Sequence, residues 1–462
     1  MPAKGKVKKL DTAIETLGLA KIKSPLRLRR GLNCQDLGHF RVFTDDADRI
    51  LMDTSLKRLK QLQKANIEPD SFEMAGPREK IYFDPTKVKA AVVTAGGLCP
   101  GLNDVIRAIV LTLYHMYSVR NNLGVQFGFQ GLIPRFKHEL LELTPELVRD
   151  IHDLGGTILA SSRGLYPIEE IVDSLERLNI NMLFTIGGDG TLKGALKICQ
   201  EIEKRGLKIA IVGIPKTIDN DINLVARSFG FDTATAAAAE VIRSAHAEAL
   251  GAPNGVGLVK LMGRESGFIA ANAALAERDV NYVLIPEADF DLEGECGLFE
   301  ELKKRLEHRG HAVIVVAEGA GQKFFPDLQE EYDASGNRRL GDIGLFLRDR
   351  IKAHFKDINM EINLKYFDPS YLIRSRPASS SDSVFCGFLG AKAAHAAMAG
   401  KTNVLISQWN NIYVHIPIKS AVSNRKKIEL GGMLWHSVLE STGQPSLLNR
   451  DSGQSGGEEA EE

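Results

Sequence analysis

The chain has 462 residues, 44% hydrophobic and 25% charged, which is ample for two domains with large cores and far beyond the size of a disulfide-stapled scaffold. Its 59 acidic and 58 basic residues leave a formal charge of −1, so the overall balance does not point to nucleic acid or an anionic membrane as partner. The five cysteines (Cys34, Cys99, Cys199, Cys296, Cys386) are odd in number, widely spaced and without a CxxC, a usage that fits reduced thiols rather than a disulfide framework or a zinc site. No apolar stretch of signal-peptide length opens the chain and no run approaches the roughly 18 apolar residues of a membrane span. A soluble, cytoplasmic protein is expected.

In chain order, residues 1–87 read as an N-terminal extension. Lys4, Lys6, Lys8 and Lys9 open a polar tail, and Lys21, Lys23, Arg27, Arg29 and Arg30 flank a proline-containing stretch, the pattern of a solvated arm in preference to an anion-binding or regulatory one. From Val88 apolar runs alternate with helical stretches, which predicts strand–helix units and a mainly parallel sheet. Strands are expected at 88–95, 181–186 and 208–214, with helices at 102–117, 191–205 and 232–250. A second series places strands near 256–262, 281–286, 311–317 and 361–367, alternating with helices near 264–276, 296–308, 341–355 and 383–399. The fold class is therefore α/β, with two doubly wound, mainly parallel sheet domains facing a cleft. The division near Gly230 gives domains at 88–230 and 231–410, a C-terminal segment at 411–450 and a small, polar, acidic tail at 451–462 that is expected to be disordered.

Three glycine- or carboxylate-rich segments directly follow apolar runs. Ala95-Gly96-Gly97-Leu98-Cys99-Pro100-Gly101-Leu102-Asn103 joins a strand to a helix, where backbone amides and a helix N-terminus can receive phosphate. It is neither a Walker A loop nor a GxGxxG turn. Gly187-Gly188-Asp189-Gly190-Thr191 sets one carboxylate among three glycines, suited to a polyphosphate and Mg²⁺, although Asp189 could instead simply cap the following helix. Upstream, Ser161-Ser162-Arg163-Gly164 offers an arginine for charge-assisted bonds to a transferring phosphoryl group. Pro215-Lys216-Thr217-Ile218-Asp219-Asn220-Asp221 places Thr217, Asp219 and Asp221 at i, i+2 and i+4. On an extended segment these share one side, and Asp219 is then a candidate general base on a hydroxyl.

Taken in order, Gly96-Gly97 to Asn103, GGDGT, PKTIDND, Met262-Gly263-Arg264, Glu318 in Ala317-Glu318-Gly319, and Tyr371-Leu372-Ile373-Arg374 resemble the 6-phosphofructokinases over roughly residues 88–400. The form GGLCPGLNDVIR with PKTIDND is most similar to the ATP-dependent enzymes of plants and trypanosomatids. The resemblance implies that Gly97, Arg163, Gly164, Gly188, Gly190 and Thr191 contact the nucleotide phosphates and that Asp189 holds Mg²⁺. It implies Asp219 as base on the C1 hydroxyl of fructose 6-phosphate, with Thr217, Ile218 and Asp221 beside it. Met262, Gly263, Arg264 and Glu318 are implied as sugar contacts, and Lys365, Tyr371, Leu372, Ile373 and Arg374 as the 6-phosphate pocket. A homo-oligomer, dimer or tetramer, is implied as well.

Two departures bear on this reading. Many bacterial members carry an arginine upstream of Met-Gly-Arg that reaches a neighbour's site, where this chain has the region of Gly255. Lys216 is shared with pyrophosphate-dependent members. Those members commonly place a second aspartate after GGD; here the residue is Gly190, which leaves room for the α-phosphate of ATP and favours ATP as donor. The alternatives are pyrophosphate-dependent transfer in the same fold, a kinase of the NAD-kinase or lipid-kinase type, which also carries GGDGT, and a silent regulatory paralogue, against which the presence of Asp219 argues.

Overall fold

Lys89–Thr94, Met182–Gly187 and Ala210–Pro215 are almost wholly buried runs of six, too short for core helices, and each forms a strand covered on both faces. The computed structural model describes residues 10–26, 43–164, 166–328, 331–332, 338–446 and 448. Lys4 to Lys9, Arg27 to Arg30, Cys34 and the 451–462 tail lie outside the described residues. In chain order the strands of the two large sheets are β1 (Arg49–Leu51), β2 (Ser71–Met74), β3 (Lys89–Thr94), β4 (Asn121–Val125), β5 (Leu140–Glu142), β6 (Met182–Gly187), β7 (Ala210–Pro215), β8 (Gly255–Leu261), β9 (Tyr282–Leu284), β10 (His311–Ala317), β11 (Asn363–Phe367), β12 (Val404–Trp409) and β13 (Ile412–Pro417).

The larger sheet runs β1-β2-β13-β12-β7-β6-β3-β4-β5. Its five central strands, β12 to β4, are parallel, and antiparallel strands close both ends. The smaller sheet, β9-β10-β8-β11, is parallel throughout. Among the described residues no helix is long and apolar enough to cross a membrane. Cys99, Cys199, Cys296 and Cys386 take part in no disulfide among the described residues.

Two compact units result. The first holds the described residues up to Thr217, together with Ile222–Gly230 and Arg376–Arg425; the second holds Ile218–Asp221, Phe231–Ser375 and the described residues from Lys426 onward. Helix Ser380–Met398, which the sequence division assigns to the sugar-phosphate half, lies in the first unit. It packs on helix Leu102–Leu111, where Ser383 Oγ donates to Asp104 Oδ1 at 2.6 Å. Helix Leu102–Leu111 continues as a π turn over Thr112–Met116, so the expected reach to residue 117 is nearly filled.

The expectation of a solvated arm needs correcting for residues 43–83. Strands β1 and β2 extend the larger sheet through β13, and Phe72 is fully buried, edge-on to Trp409 at 5.4 Å. Glu73 accepts from Arg78 at 2.8 Å and contacts Lys401 at 3.0 Å and His415 at 2.9 Å, a buried charge cluster that fastens this segment to the sheet. Burial raises the Glu73 pKa, but the hydrogen bond and charge of His415, with Lys401, outweigh it and leave the carboxyl below its usual range. Strands of three and four residues carry too little alternation to be read from sequence.

Candidate active site

The pairings Thr94 with Ile186 and Ile186 with Ile214 bring β3, β6 and β7 to a common end, so the three motif loops leave adjacent strands at one carboxyl edge of the larger sheet. In open α/β sheets this edge is where ligands bind. Gly188 caps helix Asp189–Lys204 without a side-chain bond, leaving first-turn amides at the helix start. Asp189 is therefore not the cap. As first helical residue its carboxylate meets Lys193 at 2.8 Å and Arg425 at 3.5 Å.

Glycine is required at Gly187, where a Cβ would fall 2.2 Å from Thr191 Oγ1; beside Gly190 nothing lies within 4 Å. Lys216 is buried and its Nζ donates to Gly97 O at 2.7 Å. This tether gives the lysine a use that is independent of the phosphoryl donor. The Arg163 loop joins the same edge: Ser161 Oγ donates to Gly96 O at 2.6 Å and Gly96 N–H to Ser162 O at 3.1 Å. Arg163 and Gly164 are exposed. Asn103 serves the frame, its side chain bonding Leu154 O and the Ile158 amide.

Thr217 closes the first unit's part of PKTIDND, its carbonyl accepting from Ser228 Oγ at 2.6 Å. Ile218–Asp221 belongs to the second unit and is not extended: it turns at Ile218 and Asp219, and Asn220 is left-handed (φ 53°). The expected alternation of Thr217, Asp219 and Asp221 on one side fails for that reason. Instead Asp221 is buried, whereas Asp219 keeps partial exposure. Ser266 Oγ donates to Asp219 O at 3.1 Å.

Also in the second unit, Leu261 pairs with Ala317, so Met262-Gly263-Arg264 and Glu318 leave neighbouring strands together. Gly263 has φ 138°, and a Cβ there would fall 2.5 Å from Ser266 O. The helix expected from 264 starts only at Phe268, after this loop. Burial pushes the Glu318 carboxyl above its usual range, opposed by Arg264, the Gly263 amide, Lys260 and Arg374. Arg374 lies over the Tyr371 ring at 4.7 Å.

Leu372 is exposed, whereas Ile373 is buried, which leaves its side chain to packing. Lys365 is exposed and pairs with Gly257, four residues before the level of Leu261 and Ala317, so this chain does not bring it to the Glu318 cluster. Sequence reasoning missed Lys260 beside Glu318 and the Arg425-Lys426 step. The only signal for the latter was a short basic run near the C-terminus.

A phosphate-receptive helix start on one parallel sheet and a cation-flanked carboxylate on another are the equipment of an α/β phosphotransferase. The chain belongs to the phosphofructokinase family, whose profile matches residues 89–397. It is 58% identical over 379 residues to the ATP-dependent 6-phosphofructokinase of Borreliella burgdorferi, covering 81% of this chain and 85% of that protein. Its identity to the ATP-dependent 6-phosphofructokinase of Trypanosoma brucei brucei is 47% over 380 residues, with 82% and 77% covered. In fold it is similar to a pyrophosphate-dependent phosphofructokinase from Marinobacter aquaeolei, at a TM-score of 0.63 and 18% identity over 77% of this chain and 91% of that one.

Proposed function

We propose that this phosphofructokinase transfers the γ-phosphoryl of ATP to the 1-hydroxyl of fructose 6-phosphate, giving fructose 1,6-bisphosphate and ADP. The observation that carries the donor choice is the open space beside Gly190 at the start of the Asp189 helix. The ATP-dependent relatives at 47–58% identity support the same choice.

In this reading the amides around Gly188 and Gly190, with Gly97 and Thr191, receive the polyphosphate, and Arg163 neutralises charge on the group in transit. Asp189 fits Mg²⁺, which takes one or two carboxylates plus substrate phosphates rather than a protein cage. Its carboxylate lies at the start of the helix, paired with Lys193, which is half exposed, and with Arg425. Bound there, the ion supplies charge neutralisation to the phosphates.

Asp219 takes the proton of the 1-hydroxyl, with Thr217 beside it, while Ile218 and Asp221, both buried, hold the turn that carries it. Met262, Gly263, Arg264 and Glu318 hold the sugar; Tyr371, Leu372 and Arg374, with Ile373 fixing their turn, hold the 6-phosphate. Lys365, exposed and level with Gly257, stays outside that pocket, and a homo-oligomer, dimer or tetramer, goes with this reading. The cytoplasm is the compartment that goes with this reading.

The test is a donor comparison. Purified protein with fructose 6-phosphate and Mg²⁺ is offered ATP or pyrophosphate; rapid product formation with ATP alone is expected, and preference for pyrophosphate overturns the donor assignment.

A further inference from the structure

The PKTIDND segment carries two carboxylates within three residues, and its turn is held at both. Ser266 bonds the Asp219 carbonyl, and the Lys426 amide donates to the Asp221 carbonyl at 2.9 Å. The strand-like stretch that delivers Lys426 is itself fixed. Arg425 forms an antiparallel bridge with Ile222, and the Ile428 amide donates to Glu287 Oε1 at 2.9 Å. The same Glu287 carboxylate accepts from the Gly267 amide at the foot of helix Phe268–Glu277.

The Lys426 ammonium is packed 5.1 Å from the Phe268 ring centroid. Burial brings its pKa down to about 8, and the Asp221 charge acts in the opposite direction. Arg425, one residue earlier, meets Asp189 of the other motif at 3.5 Å. Arg425 thus pairs with the GGDGT carboxylate in one unit, while in the other the Lys426 backbone holds the Asp221 backbone and its buried ammonium, packed on Phe268, lies in the field of the Asp221 charge. A buried carboxylate beside a second one needs such a partner, because removing one member of a buried pair leaves an uncompensated charge.

We propose that Lys426 is a positioning residue for phosphoryl transfer, holding Asp221 and the turn that presents Asp219 to the acceptor hydroxyl. The proposal rests on the reading of Asp219 as the base. Lys426 touches neither substrate in this account; it acts through Asp221.

The experiment compares Lys426→Met and Lys426→Arg in the full chain with Asp219→Asn as control, reading kcat, both KM values and the thermal midpoint. Lys426→Met is expected to lower kcat about 10- to 100-fold, the weight of one charge-assisted contact. Both KM values should stay near wild type, the midpoint should fall by some degrees because the buried Asp221 charge loses its cation, and Lys426→Arg should restore most of kcat. Turnover within about twofold of wild type in Lys426→Met overturns the proposal, as does an equal loss in Lys426→Arg. If Lys426→Met does not fold, Lys426→Gln replaces it, and failure of both to fold marks the role as structural and overturns the proposal too. Near-normal turnover in Asp219→Asn would instead sink the reading of the base, whatever the Lys426 variants do.

Discussion

The Lys216 ammonium donates to the Gly97 carbonyl oxygen across 2.7 Å, from a side chain only 5% exposed. The loop after β3 is thereby tied to the loop after β7, with β6 between them. Lys216→Met keeps the stem and removes the tie, leaving the carbonyl without its charged donor. A charge-assisted bond is worth about 1.5–3 kcal/mol, so the thermal midpoint should fall by several degrees. KM for ATP should rise while KM for fructose 6-phosphate holds, as measured by initial rates with each substrate varied in turn.

Asp219→Asn removes the proton acceptor with almost no change of shape. Turnover should fall by about 10² to 10⁴-fold, the usual weight of a general base, with both KM values near wild type. Retained turnover would remove Asp219 from the chemistry.

Gly190→Asp introduces a carboxylate where nothing lies within 4 Å of the new Cβ, so the variant should fold. Two like charges about 4 Å apart repel by about 1 to 4 kcal/mol between water and a protein surface. ATP-dependent kcat/KM should therefore drop at least about tenfold, while pyrophosphate, which has no α-phosphate ester to crowd, is spared. Assays with both donors on both proteins decide this, and undiminished ATP use by the variant would show that Gly190 is not the donor gate.

His395 is buried, with Nδ1 2.8 Å from the Tyr117 hydroxyl. Burial, and then the charges of Lys392 and Arg78, hold its pKa down to about 3, against 6.5 for a free histidine. Below about pH 6.5 the unfolded chain binds a proton that the folded chain refuses, so folding loses stability progressively as pH falls to about 3 and no further from this group. His395→Gln should flatten that part of the stability curve. Thermal midpoints of the two proteins, taken between about pH 4 and pH 8, are the measurement.

Much of this protein is written in local pattern. The apolar hexads of β3, β6 and β7 have a single reading, and the glycines that follow them mark the edge where the site is built. What the sequence hides has physical causes. Strands β1 and β2 are stabilised by Phe72 against Trp409 and by Glu73 against His415, contacts made with residues about 340 positions away. The turn at Ile218–Asp219 depends on Asn220 accepting a left-handed backbone, which an extended reading of PKTIDND overlooks. The sequence marks Asp189 as a candidate between glycines, yet its place as first residue of a helix rather than its cap depends on Gly188 taking the cap position. Lys426 is marked only by the short basic run it sits in, since its place is set by a backbone partner some two hundred residues earlier.

The path of the chain between the two units has a consequence for how such a protein can be divided. Unit boundaries fall after Thr217, Asp221, Gly230, Ser375 and Arg425. One of them cuts PKTIDND between Thr217 and Ile218, and another separates Arg425 from Lys426. No single breakpoint in the gene yields both units intact. Fragment complementation at one junction, or recombination that exchanges one half for a relative's, would leave each piece carrying part of the other's fold. Ile218–Asp221 is the shortest of the segments by which each unit depends on the continuity of the whole chain.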